Sequence, residues 1–207
     1  MKYTFSRTLV TLLVSFFSIQ LQAGDPAVNW FIGAGLTGGG EDLATVEVEY
    51  SGSNNNSNNR DISSGGLLSL TGGVIISPNP AFDLQASFGM HSDDVFAGGD
   101  SVSFTRWPVE LLAFGKWGNN RLGGGISYHI NPELDLEDVN RPVFEFENAP
   151  GLVAEYGYSL NGWGNGGLVL GARFMFIEYE LEAVDNSPAK NNDVDGSHVG
   201  VNFYWLF

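Results

Sequence analysis

Phe82-Asp83-Leu84-Gln85-Ala86-Ser87-Phe88-Gly89-Met90 alternates without a break. In an extended chain successive side chains point to opposite faces. Phe82, Leu84, Ala86, Phe88 and Met90 therefore share one face, and Asp83, Gln85, Ser87 and Gly89 share the other. A tilted strand of about 9–11 residues crosses a bilayer, so this stretch is long enough. One such segment says little; a transmembrane β-barrel is recognised when the pattern recurs between turn residues.

It does recur. Before it stand Val28–Thr37, with Val28, Trp30, Ile32, Ala34 and Leu36 on one face, and Ile62–Ser77, blurred by Gly65, Gly66, Gly72 and Gly73. After it come Val102–Trp117, with Trp107, Val109, Leu111 and Ala113 opposite Arg106, Glu110 and Leu112, and then a fifth segment with Leu122, Ile126, Tyr128 and Ile130 opposite Arg121, Ser127 and His129. A sixth sets Leu152, Ala154, Tyr156, Tyr158 and Leu160 against Glu155, Gly157 and Ser159. A seventh sets Leu168, Leu170, Ala172, Phe174 and Phe176 against Arg173. The eighth is Val199, Val201, Phe203, Trp205 and Phe207. Ala44–Tyr50 also alternates and is expected to extend a hairpin above the membrane.

The connections have a rhythm. Ser77-Pro78-Asn79-Pro80, Gly118-Asn119-Asn120 and Asn161–Gly166 are short turns. Residues 38–61, 91–101, 131–150 and 183–196 are long, polar and expected to be loops. Long loops on one side and short turns on the other are the mark of an outer-membrane barrel. The expected fold is all-β, an eight-stranded antiparallel up-and-down meander closed into a transmembrane barrel, with both termini on the short-turn side. A soluble up-and-down barrel has the same period with the faces inverted. Face content separates the two: the Leu, Phe, Trp and Tyr set is too bulky for the interior of eight strands, whereas the Gly, Ser and charged set fits it. Trp30, Phe82, Trp107, Trp117, Tyr156, Trp163 and Trp205 are expected in aromatic girdles at the two interfaces.

The first residues read as a leader. Lys2 and Arg7 precede the apolar run Leu9–Phe17, and Leu21-Gln22-Ala23 ends on a small residue, so cleavage is expected after Ala23. The run is too short for an anchor helix. The domain expected to fold is 24–207. Removing residues 1–23 takes away Lys2 and Arg7 and no acidic residue. That leaves 184 residues with seven basic against 24 acidic, a formal charge of −17. Such a chain repels nucleic acid. There is no cysteine, so an exported chain of this kind draws stability from a closed hydrogen-bonded ring rather than from disulfides.

Phe207, Trp205, Phe203, Val201 and Val199 resemble the C-terminal strand of bacterial outer-membrane barrels, which end in Phe with apolar residues at each second position back. The chain resembles the small eight-stranded class that includes OmpA-type, OmpX-type and OmpW-type barrels. The resemblance implies that these five residues are what the barrel-assembly machinery recognises. It also implies residence as a monomer among outer-membrane lipid and lipopolysaccharide.

Candidate chemistry lies on the inward face. Arg106, Glu110, Arg121, His129, Glu155 and Arg173 are expected to form a lumen charge network, because unpaired charges there would cost several kcal/mol each. Such a network either plugs the barrel or lines a gated pathway. Ser127, His129 and Glu155 invite a hydrolase reading. Lipid A deacylases of eight strands use such residues, but in a His-x-Ser order that faces the lipid; here the order is Ser127-Tyr128-His129 and the pair faces inward. His91 and His198 stand near strand ends and are expected to be interfacial or loop residues. Asn191–Gly196 imitates the start of a calcium loop but has Asn191 first and Asn202 in the twelfth position, which fails the pattern. No catalytic residue, metal site or cofactor is expected. Glu133, Asp135, Glu137, Asp138, Glu145 and Glu147 offer loose contact to divalent cations. The leading expectation is a non-enzymatic structural or surface-interaction protein acting through acidic extracellular loops. The alternatives are a narrow channel for small or hydrophobic solutes and a lipid A-modifying enzyme.

Overall fold

A computed structural model describes residues 26–49, 57–97, 100–137, 143–163, 166–184, 187–188 and 193–207. The expected leader, 1–23, lies outside them. The described regular structure is all strand: β1 (Ala27–Gly39), β2 (Asp42–Glu49), β3 (Ser57–Ser63), β4 (Leu68–Asn79), β5 (Phe82–Ala97), β6 (Asp100–Trp117), β7 (Asn120–Glu137), β8 (Phe144–Phe146), β9 (Ala149–Ser159), β10 (Gly167–Val184), β11 (Ser187–Pro188), β12 (Asp193–Asp195) and β13 (His198–Leu206).

Eight of these form a ring. Each antiparallel pair follows the last in chain order: β1 with β4, β4 with β5, β5 with β6, β6 with β7, β7 with β9, β9 with β10, β10 with β13, and β13 back to β1. The closing seam runs from Gly39 opposite His198 to Phe31 opposite Leu206. Beyond it, Trp30 and Phe207 exchange two backbone hydrogen bonds of 2.9 Å. Both ends of the ring therefore lie at the short-turn end, as the even strand count requires.

The faces divide as the alternation predicts. Every strand of the ring shows large apolar side chains on its exterior: Trp30, Leu70, Phe88, Leu111, Ile126, Leu152, Phe174 and Phe203 are all exposed. A soluble monomer exposes contiguous apolar patches of only a few hundred Å². A band that encircles the barrel needs hydrocarbon around it. Trp30, Trp107, Trp117, Tyr156 and Trp205 belong to this exterior.

Trp163 does not. It packs against Phe31, Ile75, Val169, Tyr204 and Leu206 and closes the short-turn mouth of the lumen. Its place in a turn hid this, because strand parity says nothing about a turn residue.

The expected loops are mostly strand. Ile62 belongs to β3, which pairs with β2 in a separate hairpin with Ala44 opposite Ile62, so the second barrel strand begins at Leu68. β5 runs to Ala97 and β6 starts at Asp100, so most of 91–101 is a hairpin. β7 continues to Glu137, and β8 pairs with both β7 and β10. β10 continues to Val184, where β11 and β12 pair with it. Above the hydrocarbon a strand needs only its ladder of backbone bonds, so polar sequence there looks like loop.

A bulge marks the change. Thr105 pairs with Glu133 and Trp107 with Ile130, which leaves Asn131 and one further residue opposite Arg106. Asn131 takes a φ of 46°, a left-handed conformation that Asn tolerates better than most residues. The extra residue inverts the parity of β7. Ser127 and His129 point inward below it, whereas Leu134 is buried above it and Glu133 stays exposed.

Leu170 pairs with Tyr158 on one side and Phe203 on the other, midway along the apolar band. Leu170→Arg should cost about 2–4 kcal/mol in vesicle-embedded unfolding titrations, the penalty for a cation at the bilayer midplane. A cost below 1 kcal/mol would mean that this face does not meet lipid.

Candidate functional site

The lumen holds the chemistry. Eight strands leave an interior that side chains can just fill, and glycines make the room. A Cβ on Gly157 would come 2.8 Å from Arg121 Nε, and one on Gly33 would come 2.6 Å from Tyr204 Cδ1. Where the wall carries no side chain, long polar side chains lie across the bore.

From the short-turn end the first pair is Lys116 Nζ with Asp83 Oδ1 at 2.5 Å; Asp83 also accepts the Ser77 hydroxyl. Next, four of the six expected network residues join in one chain. Arg121 Nη2 lies 2.9 Å from Glu155 Oε1, Arg173 Nη2 2.9 Å from Glu155 Oε2, and Arg173 Nη1 2.9 Å from Glu110 Oε1. Tyr204 donates its hydroxyl to Glu155 Oε2 at 2.6 Å. Ser87 and Ser127 donate to Glu110, and Arg121 Nη1 donates to Gln85. Arg121 also stacks over Phe114, with 4.1 Å from Cζ to the ring centroid.

Register explains the assembly. Glu155 on β9 sits between Gly123 of β7 and Arg173 of β10. One carboxylate thus reaches an arginine from each side.

Arg106 and His129 lie apart from this chain, toward the long-hairpin end. The structure brings His91 and His198 to them. Both are buried, with ring centroids 5.0 Å apart, so neither is interfacial. They face inward because β5 and β13 carry on past the apolar band. Arg106 Nη2 donates to His91 Nδ1 at 2.9 Å, and His129 Nδ1 bonds the Tyr179 hydroxyl at 2.6 Å. Beyond them Phe104, Phe146 and Tyr179 pack edge to face or tilted among Ile62, Val102, Leu134 and Val194.

Sequence reading missed Tyr204 and Tyr179. Tyr204 was findable, since even positions of the last strand point inward. Tyr179 lay in a stretch too polar to be read as barrel.

Ser127 donates a hydrogen bond to Glu110 and His129 bonds Tyr179, so the serine and histidine do not form a nucleophile–base pair. Among the described residues no group of three or more histidines and carboxylates could hold a metal ion. Asp193–Asp195 of the expected calcium-like stretch pair with Glu178–Glu180 as strand; Asn191 and Asn192 lie outside the described residues.

The outer wall carries a recess of about 670 Å³. It is floored by Gly151 and walled by Ile126, Tyr128, Leu152 and Phe176, with Glu178, Asp195 and Ser197 on its long-hairpin side. Asp195 accepts the Ser197 backbone N–H at 2.9 Å, which holds its carboxyl below the usual range.

Glu155→Ala should destabilise the barrel by about 3–5 kcal/mol, because it strands Arg121 and Arg173 without their shared counter-charge. Ser127→Ala should cost about 1 kcal/mol, the worth of one ordinary hydrogen bond. Equilibrium unfolding of both variants checks the ranking; equal costs would remove Glu155 from its central place.

No protein-family model matches the chain, and no curated protein matches it. Solved structures do. The solid-state NMR structure of the outer membrane protein AlkL in DMPC lipid bilayers aligns with a TM-score of 0.50 and 11% identity, over 90% of this chain and 93% of that one. The crystal structure of the outer membrane protein OprG from Pseudomonas aeruginosa aligns with a TM-score of 0.44 and 14% identity, over 89% of this chain and 98% of that one. At such identity the likeness to AlkL is one of fold, and it agrees with the closed ring and its apolar exterior: the chain is a small eight-stranded β-barrel of the outer-membrane type.

Proposed function

We propose that this is a non-enzymatic protein of the bacterial outer membrane with a structural or surface-interaction role, exported by its leader and acting through acidic hairpins on the extracellular side. The observation that carries the reading is the filled lumen. Trp163, the Lys116–Asp83 pair and the Arg121–Glu155–Arg173–Glu110 chain occupy its lower half. Phe104, Phe146 and Tyr179 occupy its upper part. A bore stopped at these levels leaves the hairpins as the part that meets other molecules.

Their sequence suits that part. Of the acidic residues among those described, Asp83, Glu110 and Glu155 lie within the barrel wall, and the others fall at its upper rim and beyond. A surface of that sign attracts cationic partners and draws divalent cations loosely. Such ions would bridge it to the phosphates of neighbouring lipopolysaccharide. The barrel is a monomer whose terminal residues Val199, Val201, Phe203, Trp205 and Phe207 present the last strand to the assembly machinery.

The second reading is a narrow channel for small or hydrophobic solutes. The wall recess favours it, because its apolar lining offers such a solute a place to bind. The lipid A-modifying alternative is weakened by the partners of Ser127 and His129.

Conductance of the refolded mature chain in a planar bilayer separates the first two. A silent bilayer is expected, from a sample that shows the heat-dependent gel shift of a folded barrel. Steady steps altered by Glu110→Gln or Arg173→Gln would establish the channel instead. An unchanged lipid A mass spectrum is expected from cells expressing the protein, and shortening 131–150 should abolish surface binding.

A further inference from the structure

The hairpin of β2 and β3 stands at the long-hairpin mouth without joining the ring. Its two strands pair with each other and, among the described residues, with no strand of the barrel. Glycines stand at both of its feet. Gly39 and Gly40 take φ values of 116° and 80°, and Gly66 one of 56°, backbone that glycine adopts without strain. The turn Ser63–Gly66 seats the hairpin. Ile62, just before it, is fully buried in the apolar cluster with Phe104 and Val194. The Ser63 N–H donates to Asp93 Oδ2 at 3.0 Å, and Ser64 Oγ donates to the Asp195 carbonyl at 2.5 Å. Thr37 on β1 offers its hydroxyl to the carbonyls of Gly65 and Gly66.

Under this turn lies a histidine whose bonds hold only while it is neutral. The chain has three histidines, and all three are buried in this half of the lumen. Arg106 Nη2 lies 2.9 Å from His91 Nδ1 and 3.3 Å from its Nε2. A guanidinium only donates, so the imidazole must offer it a lone pair at Nδ1. Nε2 then carries the ring proton to Thr37 Oγ1 at 2.7 Å, and Thr37 passes the bond on to the turn. A second proton on His91 removes the lone pair and sets an imidazolium against a guanidinium. Its other neighbours do not relieve this. His129 on β7 and His198 on β13 would only add their own charges, and Arg173 on β10 acts on both of them. Tyr179, also on β10, faces Arg106. Asp93, two residues along β5, acts on Arg106 and holds the Ser63 N–H. It can turn to the imidazolium only by leaving Ser63, which frees the turn from its other side.

We propose that the β2–β3 hairpin is a lid on the upper lumen and that a proton on His91 releases it. The sign follows from linkage. His91 is neutral while the lid is seated and free to take a proton once it is raised, so the seated form holds at neutral pH and gives way as pH falls. The hairpin then swings on its glycine feet and uncovers the apolar cluster that Ile62 caps. No histidine belongs to the Arg121–Glu155–Arg173–Glu110 chain, so the lower half keeps its ion pairs and the lid opens a chamber rather than a pore. The lid is independent of what the hairpins bind.

The chain has no cysteine, so a pair of introduced ones takes spin labels without competition. Glu47→Cys on β2 and Glu133→Cys on β7 report the distance from lid to rim in the refolded mature chain. One narrow distance distribution is expected at about pH 8. A second, longer one should grow in as the pH is brought to about 4, a span that covers histidine's titration on both sides. The ratio of released to seated lid should rise about tenfold per pH unit, the slope for one proton taken up on release. His91→Gln should keep the lid seated throughout, because its amide accepts from Arg106 and donates to Thr37 at any pH. Should that variant not refold, the carbon-13 signals of the three imidazoles in the wild-type chain serve in its place, and a histidine should titrate at the midpoint of release. A distance that does not change with pH, release that survives His91→Gln, or release while all three imidazoles are still neutral would overturn the proposal.

Discussion

In hydrocarbon a backbone amide has no water to bond, so a chain that crosses with strands must close them into a ring. The rest of this structure depends on that closure. It places β1 against β13 and joins Trp30 to Phe207. It holds together a domain that has no cysteine to cross-link. Closing at eight strands sets the width of the bore.

A bore of that width has consequences for charge. Side chains from facing walls meet in the middle, so each inward residue is chosen with its opposite. Where Arg121 crosses, Gly157 leaves the wall bare. Where Glu155 projects, arginines arrive from the strands on both sides. In a medium this dry the desolvation of an ion costs several kcal/mol, and only a close, fully hydrogen-bonded partner offsets it. The Arg121–Glu155–Arg173–Glu110 chain offsets it with close ion pairs and with hydrogen bonds from Tyr204, Ser87 and Ser127 and to Gln85, although Arg121 Nε has no hydrogen-bond partner. Arg106 is held differently, by His91, the ring face of Phe104 and the field of buried Asp93.

Above the hydrocarbon the rules change. Water satisfies the outer face, so strands continue as long as their ladders pair, and the side-chain code is free to shift. The bulge at Asn131 uses that freedom. By inverting the parity of β7 it turns Leu134 in toward Phe104 and Phe146 and leaves Glu133 facing out. On β7 one inserted residue thus turns the acidic side chain outward and the apolar one inward.

The alternation of Phe82–Met90 and its seven counterparts was enough to determine strand number, inward and outward faces, and the short-turn and long-hairpin ends, because a period of two is a local property of extended backbone. It also marked Arg121, Glu155, Arg173 and Glu110 as inward residues in need of partners. Which of them meet was decided only by register, a relation between strands distant in the chain. The hairpin extensions, Tyr179, Trp163 and the burial of His91 and His198 were likewise invisible, since polar sequence pairs above the membrane without a hydropathy signal. The separation of Arg106 and His129 from the main charge chain belongs to the same class: sequence placed all six residues on one face, and only their heights along the closed ring divided them.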